Sequence, residues 1–295
     1  LNESSAIGAQ PTKIDSSPKV PIASTISSSM RAPKGGLLFK SKEEPTEEIE
    51  EILEKLRDEA PVPSLETVKL LKEELKAAKT STIHWFQEEE GLEIIKMALD
   101  SINDARVAAE VAINAKEGEI GIIQAFKSTI HGGAEGVNEI GCTEIEIELV
   151  HCLMILLNIG DTSCINEIED SEGFLDVICL TATSTTSSFV SCSMLRLLTV
   201  VCGTETSGRI QTLKALDQIR LNRNEPFRFI TLIDALADPN IETEIKVDIL
   251  VLINTILAED DEMERMNLRD EMIEAGVLIA LQQTRDLYSQ KYIED

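Results

Sequence analysis

The side chains of this chain that could do chemistry are few and scattered. Three histidines, His84, His131 and His151, and six cysteines, Cys142, Cys152, Cys164, Cys179, Cys192 and Cys202, are the candidate bases, nucleophiles and metal ligands. The cysteines never stand closer than ten positions apart, and several lie in apolar runs. A small buried thiol in a reducing compartment is the expected state there, and a zinc site is not. His151 and Cys152 are adjacent, but consecutive side chains on a helix diverge by about 100°, so they do not make a base and its nucleophile. No HExxH, CxxC, P-loop or GxSxG pattern occurs. The carboxylate runs EEPTEEIEE (43–51) and AEDDEMER (258–265) read as solvated faces and turns, and GAEG (133–136) follows no strand that could make it a phosphate loop. These residues predict no enzyme, no metal and no cofactor, and leave binding as the default function.

Composition points the same way. The 295 residues carry 27 Lys and Arg against 53 Asp and Glu, a net charge of −26 that repels nucleic acid and anionic lipid and suits a basic protein partner. At 43% hydrophobic residues the chain can bury a sizeable core. No apolar run reaches the roughly 20 residues of a membrane span, so direct membrane insertion is not expected and the chain reads as soluble and cytoplasmic. Aromatics are 3%, while Leu, Ile, Glu and Ala abound, which predicts an all-α fold.

Along the chain, residues 1–44 are Ser- and Pro-rich and read as a disordered tail or linker. Thr46 is placed to cap an acidic helix whose Ile49, Ile52, Leu53 and Leu56 share a face. Ser64 is placed to cap a second helix, with Val68, Leu71, Leu75 and Ala78 in register.

Internal repeats then dominate. LMILLN (153–158), LRLLTV (195–200) and LVLINT (250–255) fall into one register at offsets of 42 and 55. A second pattern begins at Gly91, Gly173 and Gly276, read as a chain reversal opening the last helix of each unit. The interval of 82 from Gly91 to Gly173 reads as two units, with Gly133 between them. Units of about 40–47 residues with two or three helices are those of armadillo and HEAT arrays. The expected architecture is therefore a superhelical solenoid with an extended concave binding surface, preceded by a short helical region.

Two polar positions in these helices leave alternatives open. In ERMNLRDEM, Arg265 and Arg269 stand at i and i+4, with Glu271 on another face; the pair either ties carboxylates of the adjacent repeat or stays solvated. Asn254, within an otherwise apolar helix, either satisfies a neighbouring backbone or lines a groove.

The stretch 247–281, with Asn254, an acidic turn, Arg265, Arg269, Glu271 and the closing Ala275-Gly276, resembles the regulatory armadillo (FH3) region of diaphanous-type formins. MLRLLTVVC (194–202) and STIHWFQEEEGLEII (81–95), with Trp85 and Gln87, add to the resemblance, which spans roughly 65–285 although two residues are missing between the Trp and Glu-Gly-Leu landmarks. It implies a GTPase-binding helical region at 45–80, an inhibitory armadillo domain at 81–285, and at 286–295 the start of a connector to a dimerisation region outside this chain. It implies two partners: a GTP-loaded Rho-family GTPase, and a basic amphipathic helix from the C-terminus of the same protein, held on the concave face until the GTPase displaces it. The setting implied is cytoplasmic and cytoskeleton-associated. Carried over residue by residue, the groove falls on Met154, Asn158, Val200, Gly203 and Asn254. Of these, Met154, Val200 and Gly203 depart from the family's usual Lys, Ala and aliphatic residue, which puts the groove's ligand in doubt. Ordinary repeat core is the alternative for Met154 and Val200. The GTPase surface falls on Lys76, Ser81 and Trp85, with Ser81 near an expected asparagine. An acidic armadillo or HEAT scaffold binding basic peptides without a GTPase is the other reading, and a helical enzyme with a deep pocket is a third.

Overall fold

The computed structural model describes residues 47–114, 139–159, 163–204, 206–258 and 261–294. They belong to the second of two compact units, Glu43–Asp295. The tail, the Thr46 cap and Gly133 lie outside the described residues.

Helix α1 (Glu47–Asp58) buries Ile49, Ile52, Leu53 and Leu56, with acidic residues in its first turn and Lys55 and Arg57 in its last, each sign matched to the helix dipole. Helix α2 (Leu65–Ala77) starts as its sequence requires: the Ser64 hydroxyl accepts the Thr67 amide at 3.2 Å. The Glu59 carboxylate in turn accepts the Ser64 amide at 2.7 Å.

The rest of the described chain repeats a three-helix unit. A short helix, α3 (Thr80–Glu88), leads to α4 (Gly91–Asn114) and then to the long α5 (Glu139–Ile159). Next come α6 (Ser163–Asp170), α7 (Phe174–Ser184) and α8 (Ser188–Thr204), then α9 (Thr206–Arg223), α10 (Ile230–Ala237) and α11 (Thr243–Ile256). Helices α12 (Glu262–Glu274) and α13 (Val277–Glu294) follow. There is no strand among the described residues, so the all-α expectation holds, and the units are armadillo-like.

The three segments in one register occupy α5, α8 and α11, which pack side by side as a ladder. Ladder neighbours run parallel: Arg196 of α8 reaches Glu244 and Asp248 of α11, and Gly203, seven residues on, faces Thr255. Helix α2 packs on α5 in the opposite sense. Its Val68 carbonyl accepts the Cys152 thiol at 3.8 Å, while Lys72, four residues later, meets Glu148, four residues earlier.

Two details of the repeat reading change. The glycine-led helices α4 and α7 are the middle members of their units, each followed by its ladder helix. They also pack directly on one another, so the interval of 82 is one lengthened unit rather than two. At the reversals, Gly173 (φ +75°) and Gly276 (φ +96°) hold the left-handed conformation expected of them. Before α4 that role passes to Glu90 (φ +63°). Gly91 is needed for another reason, because the Phe86 ring occupies the space a Cβ would take.

Candidate functional site

The ladder presents one open face. On α8 it is the stripe Phe189, Arg196, Val200 and Gly203, at helical spacing and exposed. The structure therefore puts Val200 on the surface rather than in repeat core. On α5 the same face carries Glu148, His151, Met154 and Asn158 at helical spacing; Asn158 is exposed, while Met154 is half-buried and packs on the core. On α11 it carries Val251, and Asn254 is exposed beside it. Asn254 is thus not in a buried setting that forces a protein partner on it, because water reaches its amide. By the repeat register Val247 stands where Cys192 stands in α8. Cys192 is buried against α11, whereas Val247 is 51% exposed because the described ladder ends there.

Cross-helix contacts run along this face. Lys72 of α2 donates to Glu148 of α5 at 2.6 Å, and His151 Nδ1 lies 3.2 Å from the same oxygen. The His151 ring meets Phe189 of α8 with centroids 4.5 Å apart. Arg196 then spans to α11, 2.6 Å from Glu244 and 3.0 Å from Asp248. One chain of contacts thus runs α2–α5–α8–α11 across the open face. Sequence reasoning missed Phe189 and Arg196, although the register signalled Arg196 by aligning it with Met154 and Val251.

Burial pushes the Glu148 carboxyl up, but the Lys72 and His151 hydrogen bonds outweigh it and hold the carboxyl below its ordinary 4.5. The Glu148 hydrogen bond raises Lys72 above 10.5. A depressed carboxyl stabilises the fold above its unfolded value and loses that contribution as pH falls through the folded one; a raised lysine loses its contribution as pH rises through its folded value. The pair therefore holds α2 on α5 between these limits. Melting temperature is expected to fall more steeply below pH 4.5 in the native chain than in Glu148→Gln, and parallel curves would dissociate the pair from stability.

The chemistry of the thiols is closed off. None of the six cysteines is in a disulfide, and all are buried. Burial pushes Cys152 and Cys192 up to about 12 and Cys202 to about 11, so they stay protonated at neutral pH. His151 and Cys152 point apart, as their adjacency requires.

The residues assigned to GTPase contact lie at the α2–α3 junction. Lys76 and Ser81 are exposed, with Lys76 donating to Glu73 within its own helix at 2.7 Å. Trp85 is half-buried against the core, and its neighbour Gln87 donates to Glu167 of α6 at 2.9 Å. In the last repeat Arg265 is half-buried and Arg269 exposed. Glu271 makes a tie to the preceding unit, as both its carboxylate oxygens take the Arg228 guanidinium, at 3.0 Å and 2.5 Å.

Comparison with known proteins agrees with this architecture. Residues 210–294, from the first turns of α9 through α13, match the family model described as the Diaphanous FH3 Domain. The chain is also similar to Inverted formin-2 of Xenopus laevis, 26% identical over 153 residues, which is 52% of this chain and 14% of that protein. With its three-helix units and the match over its last repeats, this chain is similar along residues 210–294 to the FH3 domain of diaphanous-type formins.

Proposed function

We propose that this FH3 region is a regulatory switch that binds a GTP-loaded Rho-family GTPase and, in competition with it, a basic amphipathic helix from the C-terminus of the same protein. The observation that carries the reading is the open ladder face. Asn158, Val200, Gly203 and Asn254 are exposed on or beside it, in a chain of net charge −26. An amphipathic helix laid along such a face buries apolar side chains against Val200, while its basic flank meets the acidic surroundings. The α2–α3 junction, with Lys76, Ser81 and Trp85, is the proposed GTPase surface; α2 is tied to α5 through Lys72 and Glu148, so occupation of one site bears on the other. The switch needs differential affinity, because a GTPase that bound both states equally would shift nothing. The function is non-catalytic, its setting cytoplasmic and cytoskeletal, and dimerisation lies outside the chain.

Calorimetric titration with Rho-family GTPases loaded with a non-hydrolysable GTP analogue, and separately with GDP, tests the reading. Binding confined to the GTP form supports it; binding in neither state overturns it. The departures at Met154, Val200 and Gly203 favour one second reading, an acidic scaffold for basic peptides, which predicts peptide binding indifferent to nucleotide.

A substitution addresses the face directly. Asn158→Lys puts a positive charge on this exposed position without touching the core, and is expected to weaken binding of a basic helix by about 1 kcal/mol, roughly fivefold, at unchanged melting temperature. Undiminished affinity would remove Asn158 from the face in use.

A further inference from the structure

We infer a second recognition point, distinct from the ladder face: a pocket at the edge of the repeats that takes the basic side chain of a protein partner. A cavity of about 440 Å³ opens between the α7–α8 loop and the α10–α11 loop. Its lining includes Leu195, Leu232 and Ile249, each at most 3% exposed, and Ile245. Ser191 and Leu195 line it from a face of α8 different from the Arg196–Val200 stripe, so the inference does not rest on the GTPase reading or on the ladder groove.

Four hydroxyls at this cavity have their protons committed to acceptors within the protein. The Ser188 hydroxyl donates to Glu242 at 2.6 Å, Thr185 to Glu146 at 2.8 Å, Ser191 to the Ala182 carbonyl at 2.8 Å and Thr231 to Glu225 at 3.0 Å. Thr185 and Thr231 already accept the Ser187 amide and an Arg223 N–H, so Ser188 and Ser191 are the hydroxyls with most lone-pair capacity to offer. Glu242 at the mouth is the deciding group. It precedes α11 and makes no capping bond to that helix; Ser188 holds its Oε1 instead, and the residue is exposed. An apolar floor under a carboxylate fits an aliphatic stem ending in a cation, which is the form of Lys and Arg. An anion is repelled by Glu242 and by the −26 net charge, which also steers basic partners inward. The larger cavity of about 690 Å³ between α9 and α12 lacks this character, since Arg220 pairs with Asp217 and Arg228 with Glu271 in its own walls.

The test is methyl NMR of the full chain, titrated with agmatine, with uncharged butylurea, with inorganic phosphate and with the capped peptide Gly-Arg-Gly. Agmatine and the peptide are expected to shift the methyls of Leu195, Leu232, Ile245 and Ile249 saturably, while butylurea and phosphate leave them in place. Glu242→Gln should weaken both ligands at least tenfold with melting unchanged. Ser188→Ala, which releases Glu242, should weaken them less. Shifts by butylurea or phosphate at those methyls, or an undiminished response in Glu242→Gln, would overturn the pocket. Entry of agmatine but not of the peptide would overturn the protein partner.

Discussion

Replacing Arg106 by alanine is expected to lower the unfolding free energy by about 3–5 kcal/mol. Arg106 on α4 meets Glu146 on α5 with both terminal guanidinium nitrogens, at 2.7 Å and 2.5 Å, and Glu146 is wholly buried. The same carboxylate accepts Thr185 from the α7–α8 loop, while buried Asn103 on α4 donates to Thr181 of α7 at 2.9 Å. This network joins α4, α5 and α7 at the centre of the described unit. Removing only the arginine leaves a carboxylate out of reach of water, which is why the loss far exceeds that of a surface pair. Arg106→Met combined with Glu146→Leu should recover most of it, because no charge is then left unpaired. Urea denaturation of the two variants decides the matter, and a cost below about 1 kcal/mol for Arg106→Ala would show that water reaches Glu146.

The second large effect is expected at Gly208, near the start of α9. A Cβ there would collide with the Val201 carbonyl of α8 and stand 2.9 Å from the Glu169 carboxylate of α6. Because the nearest atom is helix backbone, a rotamer change cannot relieve the clash. Gly208→Ala should therefore cost about 2–3 kcal/mol despite its gain in helix propensity, through the repacking that overfilled cores require. Ser207, which donates to Glu169 at 3.1 Å, should lose that partner as α9 shifts. Calorimetric melting reads the cost, and a stabilised Gly208→Ala would mean that α8 and α9 separate freely. Gly203→Ala is the internal control: a Cβ there lies 3.8 Å from Thr255, an ordinary contact.

Much of the fold was legible before any coordinates. Apolar spacing marked the buried faces of α1 and α2, Ser64 declared itself as a cap, and the Leu register found the three ladder helices, because these signals are local and periodic. Arg106, Glu146 and Arg228 were not legible, since each pair is separated by about forty residues and nothing in a single sequence says which arginine meets which carboxylate. The 82-residue interval misled for a related reason: even division of a spacing cannot distinguish two short units from one long one, whereas the packing of α4 on α7 can.

The candidate face divides in the same way. Sequence and family resemblance named Asn158, Val200, Gly203 and Asn254, but only packing showed that all four are exposed, and that Met154 turns partly into the core. By itself the sequence determined the helical class, the repeat, the acidic charge and the absence of catalytic spacing, all of which follow from composition and helical period. The tertiary structure alone decided which face of each ladder helix stays open, how Lys72, Glu148, His151, Phe189 and Arg196 link into one surface, and where Glu242 meets an apolar pocket. Those depend on which helices become neighbours, a property of long-range packing that local periodicity does not encode.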